Sequence, residues 1–112
     1  MSLPRLRTAL VLEAQERVSD GAGGFVDGWV ALGTVWAEIT AQAGRETAHQ
    51  GAPVSRTGYR IVLRGAPFGS PDRPKPEQRF RDGARIFAIR AVAERDGAGR
   101  YLTCHCDEEA VV

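Results

Sequence analysis

The 112-residue chain contains two cysteines, two histidines and one lysine, Lys75, and each scarcity excludes something. Cys104 and Cys106 cannot build a disulfide scaffold, and a bridge between residues two apart closes a very small ring that a reducing cytoplasm disfavours. With His49 and His105 the only imidazoles, none of Ser19, Ser55 and Ser70 belongs to a recognisable nucleophile arrangement. No apolar run approaches the ~18–20 residues that cross a bilayer. The start, Met1 to Arg7, lacks an apolar signal core and a small-residue cleavage site. These features predict a protein made in the cytoplasm with no membrane partner. A net charge of +1 leaves no overall basic footprint for nucleic acid.

What is present suits one domain spanning residues 1–112, with flexible ends at about 1–6 and 107–112. A hydrophobic fraction of 43% is enough for one modest core. The other basic residues, fourteen in number, are all arginine. A GC-rich coding bias explains part of that excess. Arginine also offers a permanently charged, planar fork of donors suited to carboxylates and phosphates.

Alternation of side chains predicts mostly strands. From Thr8 to Val18, Leu10, Leu12 and Ala14 face one way and Glu13, Gln15 and Arg17 the other. Asp20-Gly-Ala-Gly-Gly24 is a turn, and Phe25 to Leu32 its partner strand, with Gly28 marking a bulge or close approach. Thr34 to Thr40 is a further strand, with Val35, Ala37 and Ile39 opposite Trp36, Glu38 and Thr40. On this pattern Trp29 belongs to the core and Trp36 is partly exposed. Ala41 to Pro53 is small and polar and reads as a long exposed loop.

Thr57 to Leu63 follows, with Tyr59, Ile61 and Leu63 on one face and Arg56, Arg60 and Arg64 on the other. Gly65 to Gln78 holds Pro67, Pro71, Pro74 and Pro76 and is a second loop. Arg79 to Gly83 leads through a turn into a strand from Arg85 to Arg95. Asp96-Gly-Ala-Gly99 makes another hairpin with Tyr101 to Cys106, and Asp107 to Glu109 form a fraying acidic tail. The fold class is all-β: a small antiparallel barrel or sandwich of about six strands with two long loops.

Chemistry is scarce. Cys104-His105-Cys106 spaces its cysteines by one residue, whereas structural zinc sites use two to four. Strand geometry also aims His105 away from both thiols, which read as small buried hydrophobes beside Leu102. Gly21 to Gly24 lacks the Gly-Lys-Ser/Thr ending of a phosphate loop. A terminal acidic tail has no pocket to perturb a catalytic carboxyl group. No enzyme, metal or cofactor is expected. The Arg56, Arg60, Arg64 row would span about 27 Å. It is either a solvated strand face or, copied around a ring, the lining of a channel.

Taken together, the Asp20–Gly24 turn, Val35-Trp-Ala-Glu-Ile39, Gly44-Arg-Glu46, Tyr59-Arg-Ile-Val-Leu-Arg64, Gly83-Ala-Arg-Ile-Phe-Ala-Ile89 and Asp96-Gly…Tyr101-Leu102 follow one another in a familiar order. This series resembles the head-tail joining, or head-closure (stopper), proteins of long-tailed phages and gene transfer agents. It covers about residues 6 to 106. Two features depart from the family pattern: a long Pro67–Pro76 loop, and few long polar residues between Gly44 and Arg56.

The resemblance implies a virion structural protein that adds beneath the portal or its adaptor as a ring of about twelve copies. Such a ring closes the DNA-filled capsid, retains its double-stranded DNA without reading sequence, and docks the tail terminator or tail tube. The candidate channel loop comprises Gln42, Gly44, Arg45, Glu46, His49, Gln50 and Arg56. Trp36, Glu38, Arg60, Arg64, Phe68 and Arg73 are candidates for ring or partner contacts, and both loops are expected to order only on assembly. Alternatives are a tail terminator-type connector and a small nucleic-acid-binding barrel. The latter needs exposed aromatics beside the arginine row.

Overall fold

Six strands close on themselves around the apolar residues that the alternation marks. The computed structural model describes residues 3–42, 45–49, 52–56 and 58–109, with the segments at 45–49 and 52–56 described as backbone. Its strands are β1 (Thr8–Ser19), β2 (Phe25–Ala41), β3 (Arg45–His49), β4 (Ala52–Arg56), β5 (Gly58–Arg64), β6 (Arg79–Asp82), β7 (Arg85–Glu94) and β8 (Tyr101–Glu108). The barrel order is β1-β2-β5-β8-β7-β6, every pairing is antiparallel, and β3 and β4 form a separate two-stranded sheet.

Inward positions alternate along each strand and meet in one core. Leu10 and Leu12 of β1, Ala37 of β2, Ile61 and Leu63 of β5, Phe80 of β6, Phe87 and Ile89 of β7, and Leu102 and Cys104 of β8 are all buried. Each large apolar side chain contributes about 1.5–3 kcal/mol by leaving water. Tyr59 meets Phe87 edge-on, with ring centroids 5.1 Å apart, and extends the core toward one end.

Two expected strands, 25–32 and 34–40, are one 17-residue strand, β2. Their junction is a bulge. The register with β1 shifts between Leu12 and Glu13, so that Leu12 faces Gly33 and Glu13 faces Ala31. Gly33 has φ 154°, a region where a Cβ is disfavoured. Gly28, by contrast, pairs regularly with Glu16, so the expected irregularity lies at Gly33 instead.

The bulge bends β1 and β2 out of the barrel. Beyond it, Ala14–Ser19 and Phe25–Val30 pair only with each other, forming an arm of roughly 20 Å at ~3.4 Å per residue. At its tip the Asp20 carboxylate accepts the Ala22 and Gly24 amides at 2.8 and 3.0 Å. Trp29 therefore sits on the arm outside the core, 36% exposed, which corrects its expected burial.

The base of the arm is locked at the barrel seam. Glu13 is 9% exposed and receives Arg79 Nε at 2.7 Å and Arg81 Nε at 3.1 Å, both from β6. The Arg79 guanidinium also lies 3.9 Å from the centroid of the Trp29 ring. One arginine thus joins the seam pair to the arm.

Strand directions separate the excursions. The β3–β4 hairpin, the β6–β7 turn and the end of β8 lie at one end of the barrel. The arm, the Gly65–Gln78 connection and the β7–β8 turn lie at the other. The Gly65–Gln78 connection is a series of turns and not a slack loop. Ser70, Arg73 and Gln78 amides bond the carbonyls of Pro67, Ser70 and Lys75, and Pro74 is fully buried. Gly65 donates to Arg100 O at 2.7 Å, where any Cβ would overlap the Gly99 carbonyl oxygen.

Replacing Glu13 by Ala strands the buried Arg79 and is expected to cost about 3–5 kcal/mol in urea unfolding. A loss below ~1 kcal/mol, the range of exposed pairs, would show that the seam does not depend on this carboxylate.

Candidate assembly surfaces

The expected channel segment is a hairpin, contrary to the exposed loop read from its composition. Arg45, Glu46 and His49 lie in β3 and pair with Arg56, Ser55 and Ala52 of β4. Gln42 closes its base by donating its amide to Gly58 O at 2.8 Å. Gly44 and Gln50 lie outside the described residues. Among the described residues the hairpin forms a sheet of its own, apart from the barrel whose core sets the alternation of the other strands. Pro53, which has no amide to donate, suits so short an edge. The usable signal was two five-residue segments flanking Gln50-Gly51, a two-residue hairpin spacing.

This pairing also divides the arginine row. Arg56 belongs to β4, whereas Arg60 and Arg64 are exposed on β5 with buried Val62 between them. Arg60, Val62, Glu38 and His105 share an outer cleft of about 380 Å³ with Glu94 and Arg95. The Glu38 carboxylate accepts the Arg5 amide at 2.8 Å, tying the N-terminal segment to β2. Tyr59 faces the core as expected, so no aromatic of β5 accompanies these arginines.

Trp36 and Arg64 lie in a second cleft, of about 390 Å³, with Leu6, Ala66, Pro67 and Asp72. Trp36 is 58% exposed, as its position opposite Val35 and Ala37 predicts. Phe68 is 82% exposed and is stacked by Arg73, whose guanidinium lies 3.7 Å from the ring centroid. Arg73 also donates to Ala66 O at 2.9 Å. The six expected contact residues therefore fall into an outer-wall group (Glu38, Arg60) and a group at the arm end (Trp36, Arg64, Phe68, Arg73).

The acidic tail does not fray within the described residues. Asp107 and Glu108 complete β8, held by Arg90 at 3.1 Å and Arg85 at 2.8 Å. Arg85 is drawn above its ordinary value by the hydrogen bond to Glu108, and the same bond holds the Glu108 carboxyl below the usual carboxylate range. Arg90 occupies a bulge between Ile89 and Ala91, which leaves its side chain free to reach Asp107. Sequence alternation missed these pairs because they depend on the β7–β8 register.

Cys104 and Cys106 are buried and free, while His105 points out, as the alternation requires. The three side chains cannot converge on one ion. Burial pushes the Cys104 thiol up to about 12 and raises Cys106 further in the same direction. Among the described residues no His, Cys, Asp and Glu cluster could hold a metal.

The chain matches the phage head completion protein family over residues 1–109. It belongs to that family. A chain in the solved virion of a native gene transfer agent particle shares 54% sequence identity with it. That match covers 98% of this chain and 100% of the other, with a TM-score of 0.80. No curated protein sequence matches. The chain is thus a structural component of a phage-type particle, the function class that the order of its motifs indicates.

Two titrations check the local chemistry. The thiols should resist alkylation at pH 8 in the native state and react quickly once unfolded; fast native labelling would contradict their burial. Glu108, with its folded pKa depressed, contributes stability above the ordinary carboxyl value that is lost as pH falls through the folded value. Glu108→Gln should therefore flatten the acid limb of the melting-temperature profile by a small amount, since the pair is exposed. An unchanged acid limb would deny the Arg85 bond any role.

Proposed function

We propose that this head completion protein forms a ring at the head-tail connector, closes the DNA-filled capsid and receives the tail, without catalysis. The observation that carries this reading is the full-length, 54%-identical likeness to a chain of a gene transfer agent virion. That likeness favours a connector over a free nucleic-acid-binding barrel. Family membership favours head closure over a tail terminator.

The barrel's polarity supports a division of labour. The β3–β4 hairpin carries the candidate channel residues Arg45, Glu46, His49 and Arg56 at one end. A two-stranded hairpin gives a channel plug its own backbone hydrogen bonds, and copies around a ring multiply weak contacts. Arginine there would hold packaged double-stranded DNA through phosphates without sequence preference. At the opposite end, the turns bearing Phe68 and Arg73 would meet a neighbouring ring, and the outer-wall pair Glu38 and Arg60 a further partner. The head side is assigned to the portal or its adaptor, and the other side to the tail terminator or tail tube.

Replacing residues 42–56 by a short Gly-Ser link should leave the barrel folded by circular dichroism and still able to bind heads, but let DNA leak from them. Full retention of DNA would remove the hairpin from the closure mechanism.

A further inference from the structure

The arm has one face that none of the described residues covers. Cross-strand pairing places Ala14 with Val30, Glu16 with Gly28, and Val18 with Val26 on that face. Val18, Val26 and Val30 are 45%, 53% and 38% exposed, and Glu16 at their centre makes no ion pair with a described residue. The opposite face differs: there Arg79 stacks on Trp29 and Arg17 on Phe25. The arm strands carry no Pro or Lys, the residues that usually guard exposed strands.

The cleft between Trp36 and Pro67 has complementary character. It is apolar along Leu6, Trp36, Ala66 and Pro67, its volume of about 390 Å³ suits several aliphatic side chains, and its polar lining is Arg64 and Asp72, so an incoming carboxylate must meet it on the Arg64 side. Arg64 also makes no ion pair with a described residue. The arm of the same molecule cannot fill it. Trp36 and Val30 lie on one strand, roughly 20 Å apart at ~3.4 Å per residue, and β2 runs from Trp36 outward into the arm.

We propose that the cleft seats the valine face of the arm of a second copy of this chain, with Glu16 of one copy meeting Arg64 of the next. The two surfaces differ, so the contact is head-to-tail, the kind that builds a ring when the rotation between neighbours closes. Burying three valines gives the contact its driving force, and the Glu16–Arg64 pair fixes its register. This deepens the ring reading above and rests on it for the larger assembly.

The test uses the full chain, free at high concentration and bound to DNA-filled heads. Val18→Cys and Pro67→Cys in one chain should give a disulfide-linked ladder on oxidation, while either alone gives none. The buried native thiols do not compete. In sedimentation velocity, or in head binding where the free chain is monomeric, Glu16→Arg and Arg64→Glu should each weaken association about five- to tenfold, and the double swap restore it. A double swap no better than the singles, dimers from Val18→Cys alone, or no ladder in either setting would overturn the pairing. Head binding without a ladder overturns the pairing and leaves the connector reading intact. A ladder without head binding supports the pairing and counts against the connector.

Discussion

A single carboxylate at a bulge organises this protein. Glu13 is the residue at which β1 leaves the barrel, and it is held by two arginines of β6, a strand of only four residues. Only three residue pairs join β1 to β6, so the ion pairs share the work of closing the sheet. Closure matters because it removes the open edges that would otherwise invite pairing with other chains. The same Arg79 that closes the seam stacks on Trp29 of the arm. Fold and projecting surface therefore have a common origin.

This arrangement also gives the arginine excess a structural meaning. Arg79 uses its Nε edge for a carboxylate and its flat face for an indole, which lysine cannot do at once. Arg85 combines Glu108, Tyr59 and the Phe87 ring in the same way at the other end, and Arg73 combines Phe68 with a carbonyl. A coding bias supplies arginines, and the barrel places several of them where a planar cation is required. The result is a small domain with an excursion from each end of the barrel: a hairpin at one end, an arm and ordered turns at the other. A structural component of a phage-type particle can use such separate surfaces for different neighbours.

The barrel was legible in the sequence wherever one face of a strand is buried. Leu10 and Leu12, Ile61 and Leu63, and Leu102 and Cys104 recur at two-residue spacing, and the position of Trp36 on a face with Glu38 predicts its exposure. Legibility failed where burial imposes no pattern. The β3–β4 hairpin stands in a sheet apart from the barrel, its composition is that of a loop, and Arg56 pairs within it and not on β5. Trp29 read as core because composition cannot tell a residue packed inside from one stacked on an arginine outside. The tail pairs and the Glu13 clamp link residues up to 68 positions apart, beyond what local alternation records. The functional class was accessible by another route, through the order of weak motifs along the chain.

The most direct measurement is co-sedimentation of the labelled protein with DNA-filled, tail-less heads that carry a portal. The account predicts saturable binding at one ring per head, together with an end to DNA loss. Binding to purified tails or to free DNA, with none to heads, would contradict it.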